Sequence, residues 1–227
     1  MSSIFLEKVV FWNKIIPFIK LDTKKLVKIK CVNSTSMDTL LNYGDFMEKT
    51  KDKWFNFVYI GSLDFMSRLL EKGIDVNSMY NKKNKKYINL KETALTLAIK
   101  KGNEKIVKFL LGCKGINVNL FSSNIMCKFP FKNITALMLA CFMGNKNCVK
   151  MLLESEEIDI NLKDSCGWTA LMYAVKKGNE KCVKLLLKYK GIDVNARDMS
   201  GETALGIAVN DKKEEILKLL LEYKEIN

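Results

Sequence analysis

The sequence contains no histidine, two prolines and two arginines, Arg68 and Arg197, in 227 residues. Without imidazole, neither a serine–histidine nor a cysteine–histidine couple can be built, and zinc loses its commonest nitrogen ligand. The seven cysteines show no Cys-x-x-Cys spacing. A Gly-rich phosphate loop and metalloprotease spacing are also missing. The carboxylates are scattered over stretches that read as helices and turns. These absences point away from catalysis, and no cofactor or metal is expected.

Long apolar runs are scarce as well. The most apolar stretch, residues 1–21, is interrupted by Glu7, Lys8, Asn13, Lys14 and Lys20. It falls short of the roughly 20 clean apolar residues of a membrane span. It lacks a basic start and a small-residue cleavage site, which argues against a signal peptide. Its polar residues do not gather on one helical face, which weakens an interfacial anchor. Two readings remain: a hydrophobic cap over the folded unit that follows, or peripheral membrane contact confined to these residues. Pro17 should end or kink any helix there. In residues 22–51, Val27, Ile29 and Cys31 alternate with lysines, a weak strand signal, and Met37–Leu41 could start a short helix.

The net charge of +13 invites a polyanion-binding reading. The shortage of arginine counts against it, because the guanidinium suits bidentate phosphate and base-edge contacts. A lysine excess beside many Asn and Ile looks more like a coding bias. Electrostatic binding of nucleic acid or anionic lipid through Lys82, Lys83, Lys85 and Lys86 stands as the alternative function. The odd number of cysteines, several in helical stretches, fits a reduced, cytoplasmic setting. Cys148 and Cys182 share a periodic position with Ile106 and Ile216 and are expected in the core, as is Cys141. Cys166 falls on a turn and is expected to be exposed.

What is present is periodic. Thr-Ala-Leu recurs at Thr93, Thr135, Thr169 and Thr203, at steps of 42, 34 and 34 residues. A second marker, (Asp/Asn)-(Val/Ile)-Asn, ends at Asn77, Asn119, Asn161 and Asn195. Fixed periods of this size mean an array of small units, each unable to bury its own apolar face. In the unit Gly167–Asn195, Thr169 is a candidate helix N-cap. Ala170, Leu171 and Ala174 give the first helix an apolar face, and Gly178 can end it in the left-handed conformation. Cys182, Val183 and Leu185–Leu187 drive a second helix, which Gly191 closes.

Asp164–Leu171, Gly178-Asn179, Val183–Leu187 and Gly191–Asn195 together resemble an ankyrin repeat. The copies at Thr93, Thr135 and Thr203 resemble it too, and a weaker fifth copy precedes them, ending Leu69–Asn77. Two departures stand out. Alanine replaces the usual proline after the threonine. The usual histidine is Thr96, Met138, Met172 or Gly206, so the Thr–His hydrogen bond is expected to be missing. The resemblance implies an all-α solenoid of stacked helix-turn-helix units with β-turn or hairpin fingers. It would cover residues 52–227, about five repeats with the first degenerate, after an N-terminal segment of residues 1–51.

From closing Asn to the next Thr, the first two links run 16 residues and the last two run 8. This lengthens the fingers at residues 78–92 and 120–134, by neutral drift or for binding. The resemblance further implies a monomeric, non-enzymatic module that binds a protein partner on its concave face. The matching positions are Lys100, Lys101, Phe142, Met143, Lys176 and Lys177 at first-helix ends. Turn-tip positions are Phe131, Lys132, Ile134, Ser165, Cys166, Trp168, Met199, Ser200 and Glu202. Trp168, Phe142 and Met143, with the Phe129 and Phe131 finger, are expected to form an outward apolar patch rimmed by lysines; the alternative is that Phe142 and Met143 pack inward under that finger.

Overall fold

A computed structural model describes residues 50–84, 87–124 and 131–223. The cap or membrane readings of residues 1–21, the strand and helix signals of residues 22–49, and Phe129 lie outside these residues. So do the side chains of Phe131, Lys132 and the finger lysines.

The described chain folds as five antiparallel helix pairs laid side by side, and no sheet closes on itself. The pairs are α1 (Thr50–Ile60) with α2 (Leu63–Glu71), α3 (Ala94–Lys100) with α4 (Glu104–Leu111), and α5 (Ala136–Met143) with α6 (Lys146–Leu153). Then follow α7 (Ala170–Lys176) with α8 (Glu180–Leu187) and α9 (Ala204–Asn210) with α10 (Glu214–Leu221). The two lengthened links form antiparallel hairpins. Strands β1 (Met79–Asn84) and β2 (Tyr87–Thr93) pair from Met79 opposite Thr93 to Asn84 opposite Tyr87. Strands β3 (Ser122–Asn124) and β4 (Phe131–Ile134) pair Ser122 with Ile134 and Asn124 with Phe131.

The first helices α3, α5, α7 and α9 start where the threonine says they should. The hydroxyls of Thr93, Thr135, Thr169 and Thr203 accept from the backbone N–H three residues on, at Thr96, Met138, Met172 and Gly206. Such a cap contributes about 1 kcal/mol. The bond expected to be missing has stand-ins at two sites, and at one of them the Thr135 backbone N–H donates to Met138 Sδ at 3.4 Å. At the other, the Thr96 hydroxyl accepts from the Thr93 backbone N–H at 3.0 Å, a hydroxyl doing the work of an imidazole. Ser122 Oγ joins them at 3.1 Å from Thr96 Oγ1. The three buried hydroxyls thereby tie the second hairpin to the foot of α3.

The first helices are not one-faced, as Ala170, Leu171 and Ala174 suggested. Every residue from Ala170 to Val175 is buried, because α7 is flanked by α5 and α9 and backed by α8. Only its C-terminal Lys176 and Lys177 reach water. The second helices keep a buried stripe, such as Cys182, Val183 and Leu186 in α8, and turn their charges outward. Cys141, Cys148 and Cys182 lie in this core, and Cys166 is exposed. In the last described pair the buried stripe of α10 is Ile216 and Leu220 alone; Leu221 is 59 % exposed, with no further pair among the described residues against it. Lys212, at the helix-ending position occupied elsewhere by Gly102, Gly144 and Gly178, adopts a left-handed φ of 53°.

The closing Asn of each unit stitches the stack. Asn77 Nδ2 donates to the Gly115 carbonyl at 2.8 Å, and its Oδ1 accepts from the Asn117 N–H at 2.8 Å. Asn119 repeats this on Glu157 and Asp159, and Asn161 on Gly191 and Asp193. The residue two before each Asn accepts from that Asn's own backbone N–H, which fixes the turn. Each link thus gives two bonds to the next unit, each of net worth about 0.5–1.5 kcal/mol.

Candidate functional site

The face that carries most of the sequence-predicted positions is built from two columns, the ends of the first helices and the tips of the turns. The helix ends reach water because the chain runs one or two residues past each first helix's buried segment before it reverses. Read along the stack, the last two residues before each reversal are Tyr59-Ile60, Lys100-Lys101, Phe142-Met143, Lys176-Lys177 and Asn210-Asp211. Apolar and basic rungs alternate over the first four repeats.

These side chains meet along the column by one rule: the first residue of a rung touches the second residue of the next. Lys101 Nζ sits 3.7 Å from the Tyr59 ring centroid, and Lys177 Nζ sits 4.1 Å from that of Phe142. Lys176 Nζ pairs with Asp211 Oδ1 at 2.9 Å. Lys100 turns instead to Glu92 at the end of the first hairpin, at 3.3 Å. At exposed sites such cation–ring contacts contribute about 0.5–1 kcal/mol and ion pairs about 0–1 kcal/mol. The column is therefore held in place without being locked. Tyr59 and Met143 remain 49 % and 38 % exposed.

The turn tips are organised by two aspartates that the sequence reading did not single out. Asp164 is buried; its Oδ1 accepts from the backbone N–H groups of Cys166 and Trp168, each at 2.8 Å. Its Oδ2 accepts from the Tyr173 hydroxyl at 2.6 Å. One unit later Asp198 Oδ1 accepts from Ser200 N–H, Ser200 Oγ and Glu202 N–H. Burial alone would raise the Asp198 carboxyl, but these bonds and the Trp168 indole hold it below its ordinary value. Burial, and then the bond to Asp164, push the Tyr173 hydroxyl far above its ordinary range. The signal that could have exposed this pair was the Asp-x-x-Gly spacing shared by Asp164–Gly167 and Asp198–Gly201.

Trp168 does not stand out in solvent. Its Nε1 donates to Asp198 Oδ2 at 3.0 Å, and its ring packs 5.3 Å from that of Tyr173. The indole clamps one turn tip to the next because its N–H needs an acceptor and the Asp198 carboxylate supplies one. Phe142 meets the same Tyr173 edge-on at 6.1 Å. The expected patch of Trp168, Phe142 and Met143 is thus a half-buried aromatic cluster centred on Tyr173, with Met143 as its exposed member. Ile134, expected at a turn tip, is buried because it faces Ser122 across the second hairpin. Ser165 is half-buried and Cys166 exposed, the latter's carbonyl accepting from Met199 N–H at 3.0 Å. Met199 is the most exposed large apolar side chain described, at 80 %.

The opposite side of the stack carries an open groove of about 490 Å³ between α4 and α6, lined by Glu104, Lys108, Lys150 and Glu154 among others. It mixes both charges and is spanned by Asn147 Nδ2 donating to Glu104 Oε1 at 2.8 Å. Among the described residues, no group of three or more acidic or cysteine side chains is placed to hold a metal ion. No helix among them is long and apolar enough to cross a membrane.

Compared with known protein families, the chain matches the one described as Ankyrin repeats (3 copies) over residues 54–122, 120–198 and 137–227. No curated protein matches it.

Proposed function

Because the chain belongs to the ankyrin repeat family, we propose that it is a non-enzymatic module that holds a protein partner on the face of first-helix ends and turn tips. Ankyrin repeats are generally protein–protein interaction modules. The observation that carries the reading here is Met143, an exposed apolar side chain flanked along the column by exposed Lys101 on one side and exposed Lys176 and Lys177 on the other. An apolar contact rimmed by charge is the usual anatomy of a protein interface, with a desolvated centre and a wet rim. Trp168 supports this face from beneath by fixing the turn tips, and is not itself the anchor. The free, buried thiols of Cys141, Cys148 and Cys182 suit a reducing compartment such as the cytoplasm.

A photo-cross-linking amino acid placed at Met143 is expected to join the full-length chain to a discrete partner in cell extract. The same group placed at Lys150, in the groove between α4 and α6, should leave that species unlabelled. Equal yields from both positions would remove the face from consideration.

A further inference from the structure

The alternation of the rungs says what kind of segment the face accepts. We propose that the first-helix column binds an extended acidic segment of the partner, with acidic side chains on Lys101 and Lys177 and an apolar side chain on Met143 between them. This rests on the protein-binding reading of the same face and adds the partner's chemistry to it.

Three observations lead there. First, the two members of each lysine pair are in different states. Lys100 and Lys176 already pair with Glu92 and Asp211. Lys101 and Lys177 lie over aromatic rings, and no carboxylate among the described residues pairs with either. A ring face holds an ammonium group in position but leaves its charge uncancelled. Second, Met143 lies on the rung between them, exposed, with an unbranched side chain that adapts to varied apolar contacts. Third, the spacing fits an extended chain. Packed helices stand about 8–10 Å apart, and an extended segment advances about 3.3 Å per residue. One rung therefore corresponds to about three residues, and the two lysines to acidic residues about six apart with the apolar residue midway.

A nucleic acid fits this column less well. Single strands bind by stacking bases on exposed aromatic faces, and here Tyr59 and Phe142 each have an ammonium group over the ring. The two uncancelled cations also stand two rungs apart, far wider than the phosphate spacing of about 3.4 Å along a strand.

The test is fluorescence anisotropy of the full-length protein at low salt with a labelled peptide of Ser and Gly. The peptide carries a central Phe and a Glu about three residues to either side. Binding is expected, with the double variant Lys101→Glu/Lys177→Glu weaker by about tenfold, the effect of about 1.4 kcal/mol. Lys101→Gln/Lys177→Gln should fall between, and far-UV circular dichroism should be unchanged in both. A peptide with Gln for Glu that binds equally well overturns the acidic specificity while leaving the face as a binding surface. So does absence of peptide binding in a protein that still cross-links from Met143. If the Met143 cross-link also fails, the face itself is wrong. An oligothymidylate that binds more tightly than the peptide through the same two lysines overturns the proposal in favour of a polyanion.

Discussion

The Trp168 indole N–H and the Asp198 carboxylate join two turn tips one repeat apart, through a single bond of 3.0 Å. A hydrogen bond to a charged acceptor contributes about 1.5–3 kcal/mol when buried. Trp168 is only half-buried, so Trp168→Phe, which keeps most of the ring and removes the donor, should cost about 1 kcal/mol. The urea midpoint should fall at unchanged slope. Because Asp198 is held below its ordinary value near 3.8, its contribution is present above that pH and is lost as pH falls through the lowered value. The gap between variant and parent should therefore narrow in acid; an unchanged gap would mean the bond is not the cause. At the alkaline end the signs reverse. Burial raises the Cys141 thiol well above its ordinary value near 9, with Cys182 adding to it. Burial and then the Glu104 charge raise Cys148 to about 11, and burial raises Cys182. Tyr173 is raised in the same way. The folded chain keeps these protons while the unfolded chain releases them, so their stabilisation is complete below the unfolded values and lost as pH climbs past them. Unfolding free energy should fall above about pH 9, by up to about 1.4 kcal/mol per pH unit for each group. Urea melts across that range, in parent and Cys148→Ala chains, should show the slope ease in the variant.

At the level of the elements, stability passes from unit to unit through the closing asparagines. Asn161 makes two bonds to the next unit, donating to the Gly191 carbonyl at 2.7 Å and accepting from Asp193 N–H at 2.8 Å. Both groups are exposed, so water replaces the lost partner. Asn161→Ala should cost about 1–2 kcal/mol rather than the penalty of a buried orphan. Amide exchange at Asp193 should quicken before that of the α8 core; simultaneous quickening would mean the asparagine props the helix itself. The elements were legible because their signals are local and repeated. Thr169, Gly178 and Leu186 each sit where capping, reversal and helical periodicity require. The asparagine marker was visible as a period, but its bonds run between units, and a sequence shows spacing rather than who faces whom. The same limit misplaced Trp168. Its position in the turn was right, but Asp198, the acceptor that draws it in, lies thirty residues on. The alternating rungs were partly read, as helix-end lysines and Phe142-Met143. Their contacts cross one repeat and one residue, an offset that only the stack creates.

On the scale of the whole molecule, a stack is as cohesive as its weakest interface, because each unit contacts only its neighbours. The last described pair has a packed neighbour on one side only. Val209 is 56 % and Leu221 59 % exposed, with no further helix pair among the described residues to cover them. What holds the last pair includes the packing of α9 on α7, the Lys176–Asp211 ion pair and the turn-tip junction at Gly167. At that junction the Cys166 carbonyl takes the Met199 N–H, and Gly167 adopts φ of 82°. A Cβ there would stand 2.9 Å from Asp198 Cα and 2.9 Å from Met199 N, and neither backbone atom can swing aside as a side chain would. Gly167→Ala is therefore penalised twice, by a left-handed backbone at about 1–2 kcal/mol and by separation of the two turns. Separation would also stretch the Trp168–Asp198 bond. The expected outcome is graded loss of order: α9 and α10 should open in a step of their own, while the pairs from α3 to α8 keep the parent's stability. Hydrogen exchange by mass spectrometry would report this as fast exchange confined to peptides C-terminal to Asn195. Uniform quickening across all five pairs would instead mean the stack unfolds as one unit and the junction is no weaker than the rest. Because Lys176 pairs with Asp211 of that last unit, its opening would also free a second uncancelled ammonium group beside Lys177. The Gly167→Ala chain should then bind an acidic peptide at least as tightly as the parent, even as its C-terminal pair frays.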